Sequence, residues 1–196
     1  MAKRVFDICF SLLALLILLP LLAIIALWVR VDSKGPVFYF QTRVGKNDHD
    51  FKLFKFRTMR PDADKHGLLT VGGRDSRVTR LGYYLRKFKV DELPQLLNVL
   101  LGQMSMVGPR PEVRKYTSLY TSEQKKVLSV KPGITDYASI KYFQESELLA
   151  KAVNPEETYI HDIMPVKLKL NLYYIQKQSF VRDIKIIAAT ALKILK

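Results

Sequence analysis

Hydrophobic positions follow three different rhythms along this chain. From Ile8 to Val29 they are continuous, ICFSLLALLILLPLLAIIALWV, 22 residues without a charge. As a helix rising about 1.5 Å per residue, this run is about 33 Å long and reaches across the hydrocarbon core of a bilayer. A cleaved signal peptide fits poorly, because the run exceeds the usual apolar region and no A-x-A site follows before Trp28, Val29 and Arg30. Pro20 sits near its middle, where it removes a backbone hydrogen bond and bends a helix. Lys3 and Arg4 precede the run while Arg30 and Lys34 follow it, so the preference of basic flanks for the cytoplasm pulls both ends the same way. Two arrangements stand level on these grounds: a spanning helix, and a helix bent at Pro20 that leaves by the leaflet it entered.

A second rhythm, of period two, occupies residues 35–60. Val, Phe and Tyr crowd VFYFQTRVG, and FKLFKFRTM alternates Phe or Leu with Lys, which predicts a β-hairpin turning around residues 46–50. Residues 61–78, rich in Asp, Gly and Arg, predict a long loop. Helical spacing then takes over, at about 79–88 and at 92–101, the latter closed by Gly102 as the residue after the C-cap. The proline-rich stretch 103–114 predicts a rigid extended loop. Further helices are expected at about 121–129, 144–152 and 156–176. In the last segment Ile184, Ile187, Ala188, Ala191 and Leu195 share one face, either core or membrane surface, with Lys185 and Lys193 elsewhere. The fold class is therefore α+β and mostly helical: an N-terminal membrane helix (1–32), then an interfacial domain (33–196) with a small hairpin and amphipathic helices.

Composition narrows the partners. The 196 residues carry 32 Lys plus Arg against 18 Asp plus Glu, a formal charge of +14, with 48% hydrophobic content that excludes a disordered chain. Such a charge calls for an anionic partner: nucleic acid, acidic lipid or a phosphorylated substrate. Residues 165–196 hold seven basic residues against one acid, Asp183, which favours anionic lipid. One cysteine, Cys9, permits no disulfide framework, and His49, His66 and His161 are scattered without metal-site spacing.

Six basic residues, Arg74, Arg77, Arg80, Arg86, Lys87 and Lys89, lead into the acidic pair Asp91-Glu92. One account is structural: Asp91 caps the helix over 92–101, and Glu92 sits favourably at its positive end. The other is chemical: a carboxylate among guanidinium groups lies beside any bound anion and serves as nucleophile or magnesium ligand. Adjacent helical side chains diverge by about 100°, so the pair cannot flank a sugar from two faces, but it can share one metal and one phosphate. Pro109-Arg110-Pro111 holds one planar guanidinium between two prolines, a stiff turn or a phosphate fork. Lys55 and Arg57, on one strand face, have a weaker claim.

The apolar segment with its central Pro, then GPVFYFQTRVG, FKLFKFRTM, KVDELPQLLNVLLGQMSMVGPRP and VKPGIT in that order, resembles the bacterial sugar transferases, the small monotopic phosphoglycosyl transferases, over nearly the whole chain. The resemblance implies transfer of a phospho-sugar from a UDP-sugar to polyprenyl phosphate with release of UMP, on the cytoplasmic face of the bacterial inner membrane, in the assembly of a capsule, exopolysaccharide, O-antigen or glycoprotein glycan. It implies Asp91 as the nucleophile that takes up the phospho-sugar covalently, Glu92 as its dyad partner, and magnesium held by the pair. Lys55, Arg57, Arg80, Arg86 and Arg110 become phosphate and nucleotide contacts, and the N-terminal helix becomes re-entrant at Pro20. It implies the small form of the family, membrane lipid as a partner and nucleic acid as none; a homodimer is left open. Where many members continue with Gly-Trp-Ala-Gln after GIT, this chain has Asp136-Tyr137-Ala138-Ser139, so the sugar is not fixed. The rival class is a membrane-tethered basic protein that binds nucleic acid or anionic lipid; it accounts for the charge and gives no reason for the acidic pair.

Overall fold

A computed structural model describes residues 2–61, 63, 67, 69–72 and 75–195. The apolar run forms a single helix, α1 (Ala2–Asp32), with Pro20 inside it. It is long and apolar enough to cross a membrane, and little of it is buried. Phe6, Ala14, Leu15 and Leu18 pack on one core, and Leu22, Ile25, Ala26 and Val29 on another. These positions recur every three or four residues, so one stripe of the helix faces the body along its length. Leu13, Leu16, Ile17, Leu27 and Trp28 face away and are each more than half exposed.

Both ends of α1 are fastened to the same body. At the N-terminal end Lys3 Nζ donates to Asp183 and to the carbonyl of Val107, Arg4 donates to the carbonyl of Leu100 at 2.9 Å, and Asp7 Oδ1 accepts from the Met106 amide at 3.0 Å. At the other end Arg57 closes the helix. Its Nε donates to Pro36 O, one terminal nitrogen to Ser33 Oγ and Lys34 O, and the other to Val29 O and Ser33 O. Those bonds use every N–H of a guanidinium.

The hairpin forms where the alternation places it. Strands β1 (Phe38–Val44) and β2 (Asp50–Phe56) pair antiparallel from Phe38↔Phe56 to Val44↔Asp50, around a tight turn over Lys46–Asp48. The bridge Met59↔Val78 returns the following segment to the sheet's end. Helix α2 (Arg80–Lys87) starts at Thr79, whose hydroxyl accepts from the Gly82 amide at 3.0 Å, and packs Leu85 against Ile25, Val29 and Phe56. The next helix is shorter than its spacing suggests. Lys89 takes a left-handed conformation (φ 56°), Val90–Glu92 make a 3-10 turn, and α3 (Gln95–Leu100) begins only after Pro94. Asp91 therefore lies ahead of the helix without capping it. Gly102 follows α3 with φ 81°, the left-handed C′ position expected of it.

The stretch 103–114 is more ordered than a loop. Strand β3 (Ser105–Val107) runs parallel to β4 (Gly133–Thr135), Glu112 bridges to Val44, and α4 (Arg114–Thr117) starts at its end. A three-residue strand carries too little alternation to be read, and its partner is 28 residues away. Gly108 and Gly133 make the pairing feasible: a Cβ on Gly133 would lie 2.1 Å from the Gly108 amide nitrogen, and one on Gly108 2.6 Å from the Lys131 carbonyl. Residues 124–129 form a 3-10 helix where an α-helix over 121–129 is expected. Then follow α5 (Tyr137–Lys141), α6 (Glu145–Ala150), α7 (Pro155–Thr158), a π turn (Tyr159–Ile163) and α8 (Met164–Gln176). Pro165 removes one donor there, and the wide turn precedes it.

The last helix, α9 (Phe180–Ile194), resolves an ambiguity of its pattern. Asp183, Ile186 and Ile187 face the core, whereas Ile184, Ala188, Ala191 and Leu195 are exposed. Ile187 thus leaves the face it was grouped with, and the rest of that face is surface. Phe180 meets Phe6 edge to face at 5.2 Å, so the exposed apolar sides of α9 and α1 adjoin.

Candidate active site

The Asp-Glu pair sits where α2, the 3-10 turn, β2 and the Pro-Arg-Pro loop converge. Asn98 on α3 fixes one side of this junction: its Oδ1 accepts from the Phe54 amide at 3.0 Å and its Nδ2 donates to Lys52 O at 2.7 Å. With β2 held in that register, Lys55 Nζ comes within 3.7 Å of Glu92 Oε1. Asp136 fixes the other side. It is fully buried, caps α5 through the Ser139 amide, and accepts from the Arg110 amide at 3.0 Å. Its position just after GIT, where the chain departs from the usual family wording, thus serves to hold Arg110.

Arg110 meets Glu92 as a fork, with one terminal nitrogen 2.9 Å from Oε2 and the other bonded to Oε1. Burial opposes ionisation of Glu92, yet Arg110 and Lys55 hold its carboxyl far below the usual range. Glu92 in turn raises the Arg110 guanidinium against the effect of burial. Asp91 is the opposite case. Burial and the neighbouring Glu92 charge push it up to about 6, with Lys55, Arg86 and Lys89 working the other way. Asp91 Oδ1 is buried with no hydrogen-bond partner. Burial also lowers Lys55, to about 8, and Lys89.

Of the residues singled out from the sequence, Asp91, Glu92, Lys55 and Arg110 come together, and Arg86 lies close enough to act on Asp91 while donating to Thr70 Oγ1 at 2.7 Å. Arg80 is exposed on the first turn of α2. Arg57 is not at the site: β2 ends at Phe56, and Arg57 turns to α1 instead of continuing the Lys55 face. Arg77 is held by Asp75 and by the carbonyls of Gly67 and Leu69. Arg74 and His66 lie outside the described residues. Lys89 is the member that sequence reading passed over, one cation in a basic run; the left-handed turn it occupies carries no sequence signal. Among the described residues no group of three His, Cys, Asp or Glu side chains converges as a ready-made metal cage.

Arg57→Met is expected to lower the melting temperature by several degrees, because the C-terminal carbonyls of α1 lose their donors. It should leave the KM for nucleotide substrate within about twofold, since the guanidinium touches no part of the dyad; initial-rate kinetics on the folded fraction checks this.

A buried, unpartnered carboxylate oxygen ringed by cations beside a long apolar helix defines an enzyme site for an anionic substrate. The bacterial sugar transferase family model matches residues 1–196, and the chain belongs to that family. An exopolysaccharide production protein PSS of Rhizobium leguminosarum bv. phaseoli is 41% identical over 196 residues, covering 96% of this chain and 92% of that protein. A putative undecaprenyl-phosphate N-acetylgalactosaminyl 1-phosphate transferase of Bacillus subtilis is 47% identical over 121 residues, 62% of this chain and 68% of that one. The UDP-glucose:undecaprenyl-phosphate glucose-1-phosphate transferase of Escherichia coli is 37% identical over 195 residues; the match covers 97% of this chain and 39% of that longer protein.

Proposed function

We propose that this protein transfers a phospho-sugar from a UDP-sugar to polyprenyl phosphate, releasing UMP, and that Asp91 carries the phospho-sugar covalently between the two half-reactions. The observation that carries this reading is the contrast within the dyad. Glu92 is ionised and clamped by Arg110 and Lys55, whereas Asp91 Oδ1 has no hydrogen-bond partner. In the first half-reaction an Asp91 oxygen forms a bond to the sugar-bearing phosphorus, the bond from that phosphorus to the bridging oxygen breaks, and UMP leaves with the electron pair. In the second, an oxygen of polyprenyl phosphate takes the same phosphorus and Asp91 is regenerated. Lys55, Arg86 and Lys89 offset the charge of the diphosphate, which otherwise repels an anionic nucleophile. Asp91, with Glu92 beside it, fits magnesium, which takes one or two carboxylates and completes its shell with phosphate oxygens and water; bound there, it would supply further charge neutralisation. Enzyme given UDP-sugar and magnesium without lipid is expected to release one UMP per active site and to gain one phospho-sugar in mass. Release of UMP only when polyprenyl phosphate is added would refute the covalent step.

The names of the relatives support undecaprenyl phosphate as the acceptor class. An acceptor buried in lipid requires the site to lie at the membrane surface, and the exposed apolar sides of α1 and α9 suit that position. Because both ends of α1 are tied to one body, we take α1 to enter and leave by one leaflet, with that body in the cytoplasm. Cysteines at Ala2 and Lys34, both exposed, in a Cys9→Ser background should then react with an impermeant thiol reagent only from the cytoplasmic side. Periplasmic labelling at position 2 alone would indicate a spanning helix.

A further inference from the structure

Two buried polar groups near the dyad lack a partner, and only one belongs to the dyad itself. Asp91 Oδ1 is the first, and Gln95 Nε2 is the second. Between them Leu93 (φ −54°, ψ −34°) and Pro94 (φ −60°, ψ −15°) are both helical, so Gln95 follows Asp91 by about one turn of continuous helical backbone. Asp91, Gln95 and Asn98 are three polar residues within two turns that are 6%, 1% and 0% exposed, in a place where apolar residues would pack. Asn98 explains its own presence, because it bonds to Lys52 O, Gln103 Oε1 and the Phe54 amide. Gln95 does not: its buried amide nitrogen does nothing for the fold, and a buried donor left unpaired costs stability.

We propose that Gln95 is a further catalytic residue, donating its amide N–H to a non-bridging oxygen of the phosphoryl group transferred beside Asp91. The proposal rests on the phosphoryl transfer argued above. As the Asp91 oxygen bonds to phosphorus and the bridging oxygen departs with UMP, charge on the non-bridging oxygens is redistributed beside Asp91, one turn from Gln95. A neutral donor suits this position better than another cation. Lysine or arginine there would pair with Asp91 and blunt it as a nucleophile, whereas an amide stabilises the phosphoryl oxygens and leaves Asp91 unpaired.

Gln95→Met tests the idea, because it keeps the shape and removes the unpaired donor. If Gln95 is catalytic, the melting temperature should hold or rise while UMP release at saturating UDP-sugar slows by about 100-fold, the loss typical of one transition-state donor. Affinity for UMP, measured by calorimetry, should stay within about twofold. Gln95→Glu, which replaces the donor with a charge, should be at least as slow. A rate within about threefold of wild type, or a rate loss matched by a fall in melting temperature, would overturn the assignment. Should the wild-type enzyme release no UMP without lipid, the covalent step fails but this proposal does not. It is then read from turnover with polyprenyl phosphate, where Gln95→Met must show the same loss or the assignment falls.

Discussion

Asp91→Asn is expected to abolish transfer, with turnover falling on the order of 10⁴-fold or more, as for loss of a covalent nucleophile elsewhere. The side chain keeps its size, so folding and UMP binding should persist. Indeed the melting temperature should hold or rise, because Asp91 is a buried carboxylate beside the ionised Glu92 and its Oδ1 has no hydrogen bond to lose. What the amide lacks is nucleophilicity. In enzyme incubated with UDP-sugar and magnesium, neither UMP nor the phospho-sugar adduct should accumulate. The competing mechanism is direct attack by the lipid phosphate in a ternary complex, with Asp91 acting only as a metal ligand. Steady-state kinetics separates the two: parallel double-reciprocal lines follow from a covalent intermediate. Intersecting lines, with no adduct trapped in the wild type, would reduce Asp91 to the lesser role.

The sequence carried the elements with long or strongly periodic patterns and missed those set by a few residues at a distance. The apolar run, the hairpin around 46–50 and the Asp-Glu pair were legible because each is a local pattern. The pairing of β3 with β4 was not, since it depends on Gly108 and Gly133 approaching across 24 intervening residues. The same distance hid the fate of the arginines. Arg57 and Arg110 look alike in sequence, each a guanidinium in a stiff segment. In the fold one turns to the end of α1 and the other to Glu92, according to where β2 stops and where Asp136 anchors the proline loop. The pattern of α9 sorted its apolar face correctly for four of five residues and left its destination open; packing of Ile186 and Ile187 decided it.

Pairing of Arg110 with Glu92 changes what its loss should do. A phosphate contact removed from the surface would leave stability alone, but Arg110→Met leaves Glu92 ionised and mostly buried, with Lys55 at 3.7 Å and the more loosely coupled Lys89 as its remaining cations. Breaking a fully buried pair from one side costs about 3–5 kcal/mol. Because the Arg110 side chain keeps 32% of its exposure, the expected loss here is smaller, roughly 2 kcal/mol, a fall of several degrees in melting temperature. Arg110→Lys should lie between, keeping the charge without the two-pronged contact. The decisive variant is the double one: Glu92→Gln added to Arg110→Met removes the stranded charge and should recover most of the lost stability. Activity should not return with it, because the double variant still lacks the Glu92 charge beside Asp91 and the guanidinium that orients it. Stability restored without activity would mark the Glu92–Arg110 fork as part of the machinery and not of the scaffold. Recovery of both together would mean the fork serves only to hold the loop, and a double variant as unstable as Arg110→Met would show that Arg110 supports the fold by contacts other than Glu92.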